Sequence, residues 1–196
     1  MIMNHIQYKI VLASNSPRRK ELLTGLGIDY EVRTLPDIDE SYPDDLEGGE
    51  IPLYISKEKA DAYKPMLRPD ELIITADTIV WLKGKVLGKP QGREDSISML
   101  HQLSGQTHEV FTGVTLTTSE KQRSFFAETK VTFCQLSDEE ITYYVDHFKP
   151  FDKAGSYGVQ EWIGYIGVER IEGSYFNVMG LPVQRLYREL HQFTHE

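Results

Sequence analysis

Apolar positions in this chain fall into short blocks, and each block carries a period that predicts an element. Residues 10–13 form an apolar run and predict a strand. Residues 17–26 predict a helix, with Ser16 placed as N-cap, Pro17 at the first helical position, and Gly25 and Gly27 bracketing its end. Residues 28–33 return as a strand. Residues 51–63 predict a helix that Pro65 ends. The run Leu72-Ile73-Ile74-Thr75-Ala76 is almost continuously apolar, the mark of a strand covered on both faces. Residues 78–82 and 86–87 predict a hairpin around Lys83-Gly84-Lys85. Between residues 94 and 104, Ile97, Leu100 and Leu103 recur at helical spacing until Gly105. Val110, Val114 and Leu116 alternate with threonines, and Val131 alternates with Phe133. These predict a long antiparallel pair joined near residues 119–123. Ser137-Asp138-Glu139-Glu140 is a capping box, opening a helix with Ile141, Tyr144, Val145 and Phe148 on one face. Pro182 opens a last helix carrying Val183, Leu186, Tyr187 and Leu190. Interleaved strands and helices predict an α/β or α+β chain. No repeat, low-complexity tract or linker divides it.

Charge and composition narrow the function. At 196 residues the chain is long enough for one sizeable core. A formal net charge of -9 argues against a general nucleic-acid binder, which needs a basic surface. No apolar run approaches the length of a membrane span. Residues 1–5 lack the charged and apolar regions of a signal peptide, so a soluble cytoplasmic protein is expected. Cys134 is the only cysteine, which rules out an intramolecular disulfide; it falls in an apolar run and reads as a core residue. Without an HExxH pattern or a Cys/His cluster, nothing points to structural zinc.

The candidate chemistry begins at Leu12-Ala13-Ser14-Asn15-Ser16-Pro17-Arg18-Arg19-Lys20. Three cations sit at a helix N-terminus, where the macrodipole is already positive. The arrangement makes sense with an anion there, met by backbone N–H groups, serine hydroxyls and guanidinium groups. The alternative is a solvated basic helix start. Asp77 follows directly on the buried strand, where ligand sites of α/β folds gather. Its carboxylate suits water activation or a hard metal ion, or simply a turn cap. Lys89, in Leu87-Gly88-Lys89-Pro90, suits a phosphate as a point charge, or is a surface lysine. Lys57 and Lys59 lie on the helix at residues 51–63. The stretch at residues 35–49 reads as an exposed acidic loop; it includes Glu40 and could draw in Mg²⁺ or Mn²⁺ through oxygen ligands. Ala154-Gly155-Ser156-Tyr157-Gly158-Val159-Gln160 is loop-like, and the Gln160 amide suits reading a base edge or tying a loop together. There is no Walker A loop, GxGxxG or GxSxG pattern.

Taken together, these motifs resemble the Maf family of nucleoside triphosphate pyrophosphatases over residues 10–190. The resemblance rests on Leu12-Ala13-Ser14-Asn15-Ser16-Pro17-Arg18-Arg19, Lys59-Ala60, Ala76-Asp77-Thr78, Leu87-Gly88-Lys89-Pro90, Leu103-Ser104-Gly105 with Thr107-His108, and Glu172-Gly173-Ser174-Tyr175 with Asn177-Val178-Met179-Gly180-Leu181-Pro182. It implies an α/β fold like that of inosine triphosphate pyrophosphatases: a single domain with an elongated mixed sheet, flanking helices and two lobes around a central cleft. It implies cleavage between the α- and β-phosphates, a divalent cation (Mg²⁺ or Mn²⁺) as cofactor, and compatibility with a homodimer. It places Asp77 as proton acceptor, and Ser14, Arg18, Glu40, Lys59 and Lys89 at positions tied to phosphate, metal or catalysis, with Asp77 and Glu40 as the metal pair. Arg18, Thr78 and Gln160 resemble the branch acting on dTTP and UTP. The 7-methyl-GTP branch and a nucleotide-binding regulator of cell division are the alternatives. Two positions depart from the family pattern. Glu161-Trp162 follows Gln160 where a glycine is commoner, and Gln106 replaces a common arginine.

Overall fold

The computed structural model describes residues 7–195. The segment at residues 1–5, read above for a targeting sequence, lies outside the described residues. The order of elements is β1 (Lys9–Leu12), α1 (Pro17–Gly25), β2 (Tyr30–Val32), α2 (Glu50–Tyr63), β3 (Glu71–Leu82), β4 (Lys85–Leu87), α3 (Arg93–Leu103), β5 (Thr107–Thr117), β6 (Gln122–Phe133), α4 (Asp138–Phe148), α5 (Trp162–Gly167), β7 (Val168–Glu172), α6 (Tyr175–Met179) and α7 (Val183–His195). The strands make one seven-stranded sheet in the order β2-β1-β3-β5-β6-β7, with β4 paired to β3. The sheet is mixed: β1 is parallel to β2 and β3, while β4 on β3 and β7 on β6 are antiparallel. The fold is mixed α/β, as the interleaved pattern predicts.

The chain divides into two compact units, neither continuous in sequence. The first comprises Met1–Asp77, Thr112–Ala127 and Gly180–Glu196. Residues 71–76 of β3 are buried without alternation, which is why their apolar run shows no period. Val11, Tyr63 and Ile73 form a buried cluster with Leu35 and Ile38 packed on it. The Tyr63 hydroxyl also accepts a hydrogen bond from the Leu35 amide at 2.7 Å. The acidic loop is thus anchored at its apolar residues, although its carboxylates are exposed. Pro65 does not stop α2 abruptly; the chain tightens into a 3₁₀ turn at Lys64–Met66. Glu71 opens β3 only 1% exposed, and Arg33 donates to both its oxygens, at 2.9 and 2.7 Å.

The second unit comprises Thr78–Phe111 and Glu128–Met179. The hairpin between β3 and β4 pairs Leu82 with Lys85, leaving Lys83-Gly84 as its turn. Both turn residues have positive φ, 50° and 80°, as a type I′ turn requires. The capping box at Ser137 is formed on both sides, and α4 is tied to α3 by Arg93 on Asp146 at 2.6 Å. His108 is fully buried, its Nε2 at 2.8 Å from the Tyr157 hydroxyl and its ring edge-on to Phe133. Residues 72–76 and 78–82 are one strand rather than two. Cys134 lies just past β6, half-buried, with its thiol 3.4 Å from the Ile166 carbonyl, so it is not the core residue expected. The short elements α5, β7 and α6 have no counterpart in the sequence pattern, because five or six residues hold too few turns to show a period.

Two buried groups tie stability to pH. The paired guanidinium of Arg33 holds the Glu71 carboxyl at about 2, below its ordinary 4.5. Burial holds His108 at about 4, below 6.5. Both folded values lie below the unfolded ones, so protons bind the unfolded chain first. Stability therefore falls as pH drops from about 6.5 to 4 through His108, and from about 4.5 to 2 through Glu71. Each window is worth about 3 kcal/mol when fully crossed. Urea midpoints measured against pH should show both. His108→Gln should flatten the upper window alone, and an unchanged upper window in that variant would remove His108 from this role.

Candidate active site

In the first unit, the turn between β1 and α1 spends its serines locally. The buried Ser14 hydroxyl accepts from the Ser16 amide at 3.2 Å, and the Ser16 side chain caps α1 by accepting from the Arg19 amide. Arg18 is half-buried in the first turn of α1. Arg19 turns inward. It donates to the Ala76 carbonyl at 2.9 Å, the Gly180 carbonyl at 2.8 Å and the Ser14 hydroxyl at 3.5 Å. Burial lowers its pKa, opposed by the nearby Asp77 carboxylate. Of the two arginines, Arg19 therefore links three segments of this unit, a role that sequence reasoning missed. Its neighbour is Asp77, which lies within β3 rather than just after a strand, because β3 runs on without a break to Leu82.

Asp77 meets Lys59. The ammonium donates to Asp77 Oδ1 at 2.8 Å and pairs with Glu40 Oε1 at 2.7 Å. Side-chain exposures of 12%, 15% and 54% for Lys59, Asp77 and Glu40 grade this cluster from shielded to open. Helix α2 is held so that Lys59 can reach. The Thr75 hydroxyl, two residues before Asp77, donates to the Ser56 carbonyl at 2.7 Å, and Ser56 Oγ bonds Thr115 Oγ1 at 2.9 Å. A Cβ on Gly113 would lie 2.2 Å from the Pro52 carbonyl oxygen, so only glycine lets β5 approach α2 this closely. Three expected residues, Glu40, Lys59 and Asp77, thus converge here. Two carboxylates around one ammonium give an oxygen-only donor pair of the kind that suits a hard divalent cation, with the nearby Arg19 guanidinium offsetting part of their charge. Among the described residues, no group of three or more histidine, cysteine or acidic side chains could hold a metal by itself. Further ligands would have to be water or phosphate oxygens, the usual pattern for Mg²⁺.

In the second unit, Thr78 is half-buried at the start of its stretch of β3, and Lys89 is exposed in the turn after β4. The glycine-rich loop is built onto that turn: the Gly155 amide donates to the Gly88 carbonyl at 3.1 Å. The loop is tied down along its length. Ser156 Oγ bonds Ser96 Oγ, the Tyr157 hydroxyl meets His108, and the Gly158 amide donates to the Tyr144 hydroxyl at 3.0 Å. Gln160 ends the loop half-buried, with its Oε1 buried and without a hydrogen-bond partner among the described residues.

A family model described as Maf-like protein matches residues 9–193. The chain belongs to the Maf-like family. Its relatives include a dTTP/UTP pyrophosphatase of Bacteroides fragilis, 68% identical over 192 residues, covering 98% of this chain and 100% of that protein. A protein of the same name from Phocaeicola vulgatus is 68% identical over 190 residues, covering 97% of this chain and 98% of that one. Another, from Parabacteroides distasonis, is 61% identical over 193 residues, covering 98% and 100%. Among solved structures, a HAM1 protein from Coxiella burnetii is similar with a TM-score of 0.46 at 15% identity, covering 94% of this chain and 99% of that one. Within this Maf-like chain, Glu40, Lys59 and Asp77 meet in the first unit, and Gln160 ends its loop in the second.

Proposed function

We propose that this Maf-like protein hydrolyses dTTP and UTP to the nucleoside monophosphate and pyrophosphate. The carrying observation is its 68% identity, over almost its full length, to proteins named dTTP/UTP pyrophosphatase. The cytoplasm, where nucleotide pools reside, is the compartment this reading requires. Among the described residues, no helix is long and apolar enough to cross a membrane.

The side chains support a division of labour. Asp77 orients the attacking water and takes its proton. The water oxygen adds to the α-phosphorus, the bond to the bridging α–β oxygen breaks, and pyrophosphate leaves with that oxygen. Lys59 fixes Asp77 Oδ1, leaving the second carboxylate oxygen for the water. Arg18 and Lys89 neutralise charge on the departing pyrophosphate. Asp77 and Glu40 are the residues that would hold Mg²⁺ or Mn²⁺; when bound, the ion supplies charge neutralisation and a more acidic water.

Gln160 reads the base. Its Oε1, buried and without a partner among the described residues, is an acceptor matched to the N3–H donor of uracil and thymine once the side chain turns out to meet the base, and its NH₂ suits a ring carbonyl. Cytosine offers an acceptor at N3, which faces that oxygen with no proton between them. Purified protein with Mg²⁺ or Mn²⁺ should release monophosphate and pyrophosphate together from dTTP and UTP, and far less from CTP. Gln160→Ala should narrow the UTP over CTP preference about tenfold, the value of one hydrogen bond of about 1.4 kcal/mol. Turnover confined to 7-methyl-GTP would keep the bond cleaved and overturn the base reading.

A further inference from the structure

Glu161 follows Gln160, and its side chain does more than fill space. Its Oε2 accepts the hydroxyl proton of Tyr144, the same hydroxyl that accepts from the Gly158 amide. Its Oε1 pairs with Lys153 at 3.1 Å. Lys153 is only 8% exposed and also pairs with Asp152 at 2.7 Å. The carboxylate lies directly over Gly158, where an added Cβ would come within 2.8 Å of Glu161 Cδ. One carboxylate thus closes the loop on itself, joining Lys153, the residue just before it, to helix α4 through Tyr144. Although Glu161 precedes α5 at the N-cap position, its side chain makes no cap hydrogen bond there. The loop takes precedence over the helix end.

We propose that Glu161 is a positioning residue for base selection: by bridging Tyr144 and Lys153 across Gly158, it fixes the backbone that carries the Gln160 carboxamide. This rests on the reading of Gln160 as the base reader. The Gly155 and Gly158 amides and the Ser156 and Tyr157 hydroxyls are each committed to a partner within this unit, so the backbone that leads to Gln160 is held from several sides. A buried ammonium robbed of one of its two carboxylates pulls on the loop, and an unpinned loop lets the Gln160 amide turn to satisfy itself.

The test uses the full chain, with kcat and KM for UTP and CTP measured on Glu161→Gly, Glu161→Gln, Gly158→Ala, Gln160→Ala and the double variant Gln160→Ala/Glu161→Gly. Circular dichroism establishes folding, and Glu161→Gln carries the test if Glu161→Gly does not fold. Glu161→Gly should raise KM for UTP about tenfold with kcat within about threefold, and should lower the UTP over CTP preference. Glu161→Gln retains an acceptor for Tyr144 and should fall between wild type and Glu161→Gly. Gly158→Ala displaces the carboxylate without removing it and should shift the preference in the same direction. The double variant should discriminate no worse than Gln160→Ala alone, because both changes act through one amide. Additive losses in the double variant, or an unchanged preference in Glu161→Gly beside a changed one in Gln160→Ala, would overturn the role of Glu161. An unchanged preference in Gln160→Ala itself would overturn the base reading beneath it.

Discussion

Asp77→Asn is expected to cut turnover of UTP by roughly 10²–10⁴-fold, the usual worth of a positioned general base. The substitution is nearly isosteric, so its effect should be on chemistry rather than packing. An amide oxygen still accepts from Lys59, which keeps the 2.8 Å contact available. It cannot take a proton from water, and it removes one of the two carboxylates that suit a divalent cation. Asp77 is largely shielded, at 15% side-chain exposure, and its ammonium partner keeps Glu40. The melting temperature should therefore change by only a few degrees. Turnover within threefold of wild type would exclude Asp77 as the proton acceptor. A collapse of the melting temperature would show instead that the Asp77–Lys59 pair is structural.

Arg19→Met should be the most damaging change outside the carboxylates. The guanidinium bonds the carbonyls of Ala76 and Gly180 and the hydroxyl of Ser14. Removing it takes one donor from each of the Ala76 and Gly180 carbonyls, at about 1–3 kcal/mol each, while Ser14 Oγ keeps the Ser16 amide. Loss of the buried charge offsets part of this, so a net destabilisation of about 3 kcal/mol is expected in urea titrations. Ala76 immediately precedes Asp77, so the reacting carboxylate shifts with it. A displacement near 1 Å costs about 10²-fold in kcat/KM. Arg19→Lys should recover little, since one ammonium cannot reproduce the planar fork. If activity fell at unchanged urea midpoint, the guanidinium would be acting on substrate rather than as a clamp.

Much of this was legible in the chain. Strong local patterns announced themselves: the capping box at Ser137, the unbroken apolar run from Leu72, the alternation from Val110. Ser16 and Pro17 set the start of α1 to the residue. Asp77 was legible because a carboxylate closing a buried apolar run stands out, although β3 continues through it to Leu82 instead of ending before it. What stayed hidden was direction and partnership. Two adjacent arginines look alike in sequence, yet Arg19 points inward to carbonyls contributed by residues far along the chain. Glu161 and Lys153 are separated by a glycine-rich stretch, and nothing in their spacing reveals that one carboxylate bridges the loop. Leu35 and Ile38 were lost among acidic neighbours, so the anchoring of that loop was invisible to composition.

The contact of Arg19 with the Gly180 carbonyl spans 161 residues of chain, and it bears on how the molecule is made. A ribosome adding about 5–20 residues per second places roughly 8–32 seconds between the two partners. Throughout that interval the first helix exists without one of its anchors, and α7, which completes the same unit, is still unborn. The nascent chain therefore cannot complete this unit before Gly180 is made, and chains cut short before it carry Asp77 without one of the contacts around its strand.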